Sequence, residues 1–253
     1  MAHATPIDVT MPEVGENGGT IPVFARWFGS WKISVQRRAL STAELANAYD
    51  REAAGWERTI ERLGFSDAYE TMLGQALPGH FFEGHDKPLH VLDAGMGTGG
   101  LSAALAKARS GPLVFHGIDI SACMLNEAYR RLRDRGIEAD LRLGDVQALP
   151  FDDEAFDLVM AAHVLEHLVD PHQALAEMVR VLKPGGTLLA CLTRRSSLGM
   201  YIHLKWRTHR LTARDAESWF AKHGLEHVRS LPFEGQKRCR NLSLACIGRK
   251  PLA

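Results

Sequence analysis

Short apolar segments alternate with segments of helical periodicity from residue 89 onward. Alternation of this kind is typical of βαβ units, which build a mostly parallel sheet with right-handed crossovers. Each apolar segment is short enough to be a buried strand. The predicted strands are 89–94, 113–118, 139–143, 156–161, 187–192, 225–230 and 242–247, and the predicted helices are Leu101–Ala108, Cys123–Arg133, Ala174–Leu182 and Arg214–His223.

The last two predicted strands are joined by PFEGQKRCRN, which has no helical pattern, so they predict an antiparallel hairpin. The predicted fold class is therefore α/β. It is a Rossmann-like, mostly parallel seven-stranded sheet with an antiparallel C-terminal hairpin strand, helices on both faces and an N-terminal helical extension. Residues 1–85 are predicted to form a tail and helical cap, and residues 86–253 to form one domain with an insertion at 194–211.

Helical signals begin at residue 41. Ser41 and Glu44 have the spacing of a capping box, apolar positions recur at helical spacing as far as Leu63, and Gly64 suits a left-handed C-cap. A second helix is predicted from Ser66 to Leu77. Within the first helix, Tyr49 and Trp56 are candidates either for core packing or for the wall of a ligand site.

The segments before this helix have a different composition. Residues 1–20 carry no periodicity and predict a mobile tail. Residues 21–40 mix aromatic side chains with four basic residues and contain no acid. The simpler interpretation is an arm that packs its aromatic side chains on the domain. The alternative is a segment that contacts a membrane surface or covers an apolar pocket.

Composition narrows the class of protein. The chain has 253 residues, 45% of them apolar, with 30 basic and 30 acidic side chains. A net charge of zero argues against a general nucleic-acid binder, because such proteins neutralise phosphates. The charges are uneven, since 145–179 holds eight carboxylates and no Lys or Arg, whereas 194–210 and 235–253 each hold five basic residues and no acid.

The sequence carries few signals for export, membrane insertion or disulfide formation. Its four cysteines form no C-x-x-C pair, which suits reduced thiols. No run of about 18 apolar residues is present, and the N-terminus lacks an apolar signal core. We therefore expect the protein in the cytoplasm.

The strongest local motif is VLDAGMGTGG at 91–100, a predicted buried strand that enters a glycine-rich turn and then a helix. Glycines let a ligand approach the backbone, and the helix start supplies free N–H groups. The spacing Gly95-x-Gly97-x-x-Gly100 also matches a dinucleotide fingerprint, so the motif alone leaves the ligand open.

Acidic residues at the ends of the next two predicted strands indicate which kind of ligand the motif binds. Asp119 ends the second strand, where a carboxylate can accept from both ribose hydroxyls of an adenosine ligand, and Ser121 is the better cap for the following helix. Asp145 follows the third strand, where it can accept from the adenine amine while the N–H of Val146 donates to the ring. The three strand ends together predict an adenosine-type ligand.

With these motifs in order, residues 88–193 resemble the class I S-adenosylmethionine-dependent methyltransferases, in the branch that methylates small molecules, quinones and lipids. The resemblance implies S-adenosylmethionine as cofactor and methyl transfer to a small-molecule acceptor. It assigns the methionine portion to the strand end and glycines, the ribose to the second strand end and the adenine to the third. The implied cofactor-binding residues are Asp93, Ala94, Gly95, Gly97, Asp119, Ile120, Asp145, Val146 and His163.

The motif His163-x-x-Glu166-His167 also spells the inverted zinc-protease pattern. Zinc needs a third protein ligand, and the chain offers no obvious one, so no metal is predicted. Relatives that hold a divalent cation near this turn carry an acid where this chain has His163. We interpret Glu166 and His167 as residues that shape the turn, and His163 as the one that contacts cofactor or substrate.

The insertion 194–211 lies where this family covers the acceptor pocket, although a solvated basic loop is an equally good interpretation. Methyl transfer to a hydroxyl or carbon acid needs a base, for which histidine is suited. Tyr201 and His203 therefore join His163 as candidate catalytic residues. The basic and aromatic character of the insertion and of 21–40 suggests an anionic, aromatic or amphiphilic acceptor.

Two other functions remain open at this point. A non-catalytic regulatory protein could keep the S-adenosylmethionine pocket and use the basic segments to dock on a membrane or partner. A nicotinamide-dependent dehydrogenase is less favoured, because the predicted hairpin at the end leaves no room for a second nucleotide-binding half.

Overall fold

The computed structural model describes residues 19–28, 30–77, 81, 88–109, 111–194, 206, 208–209, 211–234 and 242–252. The N-terminal part of this range is an antiparallel hairpin of β1 (Thr20–Phe28) and β2 (Trp31–Arg38). All eight residues of β2 are exposed, and Trp31 is 78% exposed. An arm that packs its aromatic side chains on the domain is therefore wrong for Trp31, and Gly19 and Thr20 belong to the hairpin region rather than to a tail.

Two helices follow, α1 (Thr42–Leu63) and α2 (Phe65–Ala76). The predicted capping box is confirmed, because Ser41 Oγ accepts from the N–H of Glu44 at 3.2 Å and Glu44 accepts from the N–H of Ser41 at 2.9 Å. Gly64 separates the helices in the left-handed conformation, with φ of 80°. The second helix begins one residue before the predicted start.

The rest of the described chain confirms the predicted alternation. Seven strands form one sheet in the order β5-β4-β3-β6-β7-β9-β8, in which β9 runs opposite to the other six strands. In chain order the elements are β3 (Leu89–Ala94), α3 (Gly100–Ala108), β4 (Leu113–Asp119), α4 (Ala122–Arg133), β5 (Ala139–Leu143), β6 (Phe156–Ala162), α5 (Pro171–Val181), β7 (Leu182–Thr193), α6 (Ala213–Lys222), β8 (Glu226–Pro232) and β9 (Ser243–Arg249).

The helix α5 begins three residues before the predicted start. Asp170 caps it by accepting from the N–H of His172 at 2.9 Å, and Pro171 occupies the first turn, where a missing N–H costs nothing. The apolar pattern alone pointed to Ala174, because the polar first turn carries no periodicity.

The order of the strands in the sheet indicates where a ligand site should lie. The chain runs from β3 outward to β5, then returns to the other side of β3 with β6 and continues outward again. The crevice beyond the carboxyl ends of β3 and β6 is therefore the switch point at which open α/β sheets bind ligands.

The core lies on both faces of this sheet. One apolar cluster joins the sheet to α5 and α6, a second joins it to α2 and α3, and a smaller third packs α4 against β5. Because α2 buries Tyr69, Met72 and Leu73 in the second cluster, it shares its core with the sheet, and the division of the chain at residue 85 stays a prediction. In the described ranges, no helix is both long and apolar enough to cross a bilayer.

Gly64, between α1 and α2, and Gly74, inside α2, should respond oppositely to substitution by alanine. Gly64→Ala forces a side chain into φ of 80° and should lower the free energy of unfolding by about 1 kcal/mol. Gly74→Ala lies in the interior of α2 with open space around it and should raise that free energy by up to about 1 kcal/mol. Urea titration of both variants measures this. Equal effects would contradict the assigned helix boundary.

Candidate functional site

A cavity of about 690 Å³ opens at the carboxyl ends of β3 to β6, underneath α1. Its walls come from the glycine turn after β3, the ends of β4 and β5, the turn after β6, and the inner face of α1. This volume suits a drug-sized or cofactor-sized ligand. Of the predicted cofactor residues, the cavity is lined by Gly95, Gly97, Asp119, Ile120, Asp145, Val146 and His163.

The glycine turn is fixed against the end of β4. The N–H groups of Gly95 and Met96 both donate to the carbonyl of Ile118, at 2.8 and 3.0 Å. A Cβ on Gly95 would lie 2.4 Å from Val164, and its φ of 73° already disfavours other residues. Around Gly97, which has a φ of 53°, nothing lies within 4 Å of the Cβ position. The turn is therefore packed at Gly95 and open toward the cavity at Gly97.

Asp119 links this turn to the start of α4. Its Oδ2 accepts from the N–H of Gly97 at 2.8 Å, and its Oδ1 accepts from the N–H of Ser121 at 2.9 Å. Burial raises its pKa to about 6, against the opposing effect of these backbone hydrogen bonds. As predicted, Ser121 caps α4, because its Oγ accepts from the N–H of Met124 at 3.0 Å.

The helix α1 is tied to the strand ends by polar contacts that sequence reasoning missed. Asp50 accepts from the hydroxyl of Ser121 in a short hydrogen bond and from the N–H of Cys123 at 3.3 Å. Thr42 donates to Asp145 at 3.5 Å. Both residues sit on a surface-like helix face, and nothing in their spacing signals a partner more than 70 positions away.

Asp93 and Ala94 lie behind the cavity wall rather than on it. Both are buried, and Asp93 Oδ2 accepts from the hydroxyl of Ser102 at 2.7 Å. The other oxygen of Asp93 has no hydrogen-bond partner among the described residues, and burial raises the pKa of this carboxyl to about 6. Asp93 therefore contacts the first turn of α3 and does not line the cavity itself.

The turn after β6 is organised around a buried carboxylate. Glu166 is fully buried and accepts from the N–H of Thr193 at 2.8 Å, which supports its interpretation as a turn-shaping residue. Burial raises the pKa of Glu166, but a hydrogen bond with His163 and the charges of His163 and His167 outweigh it and lower the pKa to about 2. Nowhere in the described ranges do three potential metal-binding side chains cluster.

His163 faces the cavity with its ring held by protein atoms. Its backbone is in the left-handed region, with φ of 58°. The ring Nδ1 lies 3.2 Å from both Glu166 Oε1 and Thr193 Oγ1, and Nε2 lies 3.4 Å from Ser243 Oγ. His163 is therefore positioned to contact a ligand, but both of its ring nitrogens already face protein partners.

An aromatic cluster forms the cavity wall opposite the strand ends. Tyr49 stacks on Trp206 with ring centroids 4.9 Å apart, and Trp56 meets Trp206 edge-on at 5.8 Å. His167 joins the cluster through a hydrogen bond with Tyr49 at 3.1 Å. Tyr49, Trp56 and His167 line the cavity.

The insertion 194–211 is described only in part, at 194, 206, 208–209 and 211. The candidate catalytic residues Tyr201 and His203 lie outside the described residues. The buried Trp206 shows that the insertion reaches the aromatic cluster. His209 continues the contact, since its N–H donates to the Glu166 carbonyl at 2.7 Å.

The acidic segment 145–179 contributes only part of its charge to the cavity. Three carboxylates of 145–179 form ion pairs away from the cavity, Glu177 and Asp153 with Arg180, and Asp157 with Lys183. The carboxylates that line the cavity are Asp119 and Asp145. Arg131 of α4 also lines it beside Gly100, a cation that the sequence pattern did not single out.

The fold and the lining of the cavity together define a class of protein. A parallel sheet that presents a glycine turn and two carboxylates from successive strand ends in one cavity is a Rossmann-like fold with a site for an adenosine-type ligand.

Comparison with known proteins then gives a family match for part of the chain. Residues 92–190 match the family described as "Methyltransferase domain". The chain is 45% identical over 106 residues to a demethylmenaquinone methyltransferase of Lactiplantibacillus plantarum, a match that covers 41% of this chain and 44% of the relative. It is 41% identical over 105 residues to a ubiquinone/menaquinone biosynthesis C-methyltransferase of Idiomarina loihiensis, which covers 40% of this chain and 41% of that one.

The fold also matches a solved Thermotoga maritima protein described as a SAM-dependent methyltransferase and possible histamine N-methyltransferase. The TM-score is 0.64 at 20% identity, over 81% of this chain and 99% of the other. Residues 92–190 therefore carry a methyltransferase domain, which confirms the resemblance over that part of the chain. The chain spans less than half the length of the two curated relatives.

The buried carboxyl of Asp93 predicts a pH effect on stability. Its pKa in the fold, about 6, lies above the usual value, so ionising it costs the folded state stability as pH rises from 4 through 6. Asp93→Asn keeps an acceptor for Ser102 and removes this ionisation. From pH 4.5 to pH 8 the free energy of unfolding should fall by roughly 1 to 3 kcal/mol more in the wild type than in the variant.

Urea unfolding at the two pH values measures the difference. Asp134→Asn is the matched control, because that carboxyl is 67% exposed and should leave the pH dependence of the wild type unchanged. A parallel response of Asp93→Asn and wild type would mean that Asp93 ionises normally in the fold.

Proposed function

We propose that this protein transfers a methyl group from S-adenosylmethionine to a small-molecule acceptor. The observation that carries the proposal is the convergence of the glycine turn, Asp119 and Asp145 on one cavity beneath α1. The open space around Gly97 leaves room for the part of the ligand that would lie against the backbone of the turn. A side chain at this position would occupy that space. The bound cofactor would supply an electrophilic methyl group on a sulfonium.

The residues of this chain then have distinct tasks. Asp119 would accept from the ribose hydroxyls beside Ile120, and Asp145 with the N–H of Val146 would hold the adenine. Gly95 and Gly97 would bound the methionine portion, and His163 would face the transferred methyl. The aromatic cluster on α1 and the insertion would exclude water, which suits a displacement that depends on alignment and desolvation.

The acceptor is proposed to be an aromatic hydroxyl compound of quinol type. The two curated relatives are named for quinone substrates, although they match this chain over less than half of their length. The aromatic side chains of Tyr49, Trp56 and His167 line the cavity and offer edge and face contacts to an aromatic ring. Arg131 offers a positive charge to an anionic group on the ligand.

Asp119→Ala should lower the affinity for S-adenosylmethionine by about 10- to 100-fold, because charge-assisted hydrogen bonds to the ribose are lost. Isothermal calorimetry measures the dissociation constant. Asp134→Ala removes an exposed carboxylate just after α4 and should bind as wild type. Unchanged affinity in Asp119→Ala would overturn the proposed cofactor site.

A methyl-transfer assay separates the enzyme from a non-catalytic binder. The protein is incubated with methyl-labelled S-adenosylmethionine and a reduced demethylmenaquinone, and the quinol is analysed by mass spectrometry. Incorporation of label supports the proposed reaction. Tight cofactor binding without incorporation into the quinol or into any compound of a metabolite extract would favour the regulatory alternative.

The exposed hairpin favours a second role, peripheral contact with an anionic membrane surface. Trp31, Ile33 and Val35 alternate along β2 and are 78%, 54% and 54% exposed. The segment 21–40 carries four basic residues and no acid, which suits anionic headgroups. Gly19 and Leu40, at the base of the hairpin, line the cavity, so an amphiphilic acceptor would be taken up where the hairpin leaves the domain.

Replacing Trp31, Ile33 and Val35 together by serine should remove most binding to vesicles that contain phosphatidylglycerol, since all three side chains are exposed. Co-sedimentation at physiological salt measures the bound fraction, and vesicles of phosphatidylcholine alone test the charge requirement. Leu252→Ser, at a position 76% exposed, is the control. Equal sedimentation of the triple variant and wild type, or no sedimentation of either, would contradict membrane contact.

A further inference from the structure

His167 is the member of the His163-x-x-Glu166-His167 motif whose ring reaches across the cavity. It ends a 3-10 helix, Leu165–His167, and its backbone N–H donates to the carbonyl of Val164 at 2.9 Å. Its Nε2 lies 3.1 Å from the hydroxyl of Tyr49 on α1, and both residues line the cavity. Sequence reasoning gave His167 only a role in shaping the turn.

Tyr49 is held in place by its neighbours. Trp206 stacks on one face of its ring at 4.9 Å with an interplanar angle of 16°, and Trp56 and His167 meet it edge-on at 5.8 Å. Burial raises the pKa of Tyr49 well above its usual value, and the charges of Asp119 and Glu166 raise it further. At neutral pH the group is therefore a phenol, and its hydroxyl lies within hydrogen-bond distance of His167 Nε2.

A positive charge on His167 has a nearby counter-charge. The buried carboxylate of the adjacent Glu166 interacts electrostatically with both His163 and His167. His163 differs from His167, because its two ring nitrogens face Glu166, Thr193 and Ser243. Two further titratable groups lie against this turn. His209 Nε2 donates to the Leu168 carbonyl at 2.9 Å, and burial lowers the pKa of His209. Burial, with the charge of Glu166, raises the pKa of the Cys191 thiol.

We propose that Tyr49 and His167 form a proton relay for a hydroxyl acceptor. The acceptor O–H bond breaks and its proton passes to Tyr49 Oη, while the O–H proton of Tyr49 passes to His167 Nε2. The electron pair of the broken bond stays on the acceptor oxygen, which becomes the nucleophile or activates its ring carbon. His167 then carries the proton as an imidazolium beside Glu166 and later releases it to water.

This inference rests on the proposed function and deepens it, because it requires a hydroxyl acceptor. Tyr49 is the residue that touches the acceptor, and His167 acts through it as the proton sink. The relay also explains why α1 and the turn after β6 meet at this point, where core packing alone would be satisfied by apolar side chains.

The first test needs no substrate. The pKa of His167 is measured by NMR titration of labelled histidine side chains in wild type and Tyr49→Phe. Loss of the phenol donor removes a hydrogen bond that favours neutral His167, so its pKa should rise by about half to one unit in the variant. Tyr129→Phe, at a position 53% exposed on α4, is the control and should leave the pKa unchanged. No rise in Tyr49→Phe would overturn the relay.

The second test uses reduced demethylmenaquinone and methyl-labelled S-adenosylmethionine. Tyr49→Phe and His167→Gln should each lower kcat by at least about 100-fold and abolish the acidic limb of its pH profile, because they remove general-base assistance. Their calorimetric affinity for S-adenosylmethionine should stay within about threefold of wild type, which also reports folding. Tyr129→Phe should transfer methyl groups as wild type.

The outcomes separate the two levels of the proposal. If wild type methylates the quinol and either variant retains kcat within about threefold with an unchanged pH profile, the relay is wrong and the proposed function stands. If wild type binds the cofactor but never methylates the quinol, the proposed acceptor fails, and the relay fails with it.

Discussion

Parallel strands β3, β4 and β5 end at the same edge of the sheet, and backbone hydrogen bonds join those ends to one another. The glycine turn after β3 donates twice to the carbonyl of Ile118 and once to the carboxylate of Asp119, all between 2.8 and 3.0 Å. Because Gly95 has no side chain, the same turn also packs closely against Val164 in the turn after β6. Every other part of the site is arranged around these fixed strand ends.

The helix α1 turns this edge into an enclosed site. Its Thr42 and Asp50 contact the ends of β5 and β4, and its Tyr49 contacts His167 after β6. One helix therefore touches the sites expected for adenine, ribose and acceptor, and Trp206 of the insertion stacks on it. The same helix therefore both encloses the cavity and contacts the strand ends that line it.

Much of the fold was predictable because its strands are buried and its crossovers regular. All seven strands, the antiparallel end and the cap by Ser121 follow from apolar periodicity and cap spacing. The hairpin was missed although Trp31, Ile33 and Val35 alternate with polar residues after Gly29-Ser30, because its exposure breaks the rule that apolar side chains pack inward. The strand-end residues of the site followed from sequence for the same reason as the strands.

Contacts between distant elements were not predictable. The partners Tyr49 and His167 are 118 positions apart, and neither sits on a motif that specifies the other. The motif His163-x-x-Glu166-His167 fixed which residues share a turn, but not which ring faces α1. That distinction depends on the left-handed backbone of His163 and on the buried Glu166, which appear only in three dimensions.

The most direct measurement of the central claim is backbone hydrogen exchange with and without S-adenosylmethionine. The account predicts slower exchange in the turn at 95–100, at 119–121, at 144–147 and along α1, with little change in β8 and β9, which lie at the far edge of the sheet. Protection confined to other segments, or none at saturating cofactor, would contradict a site built on the ends of β3, β4 and β5.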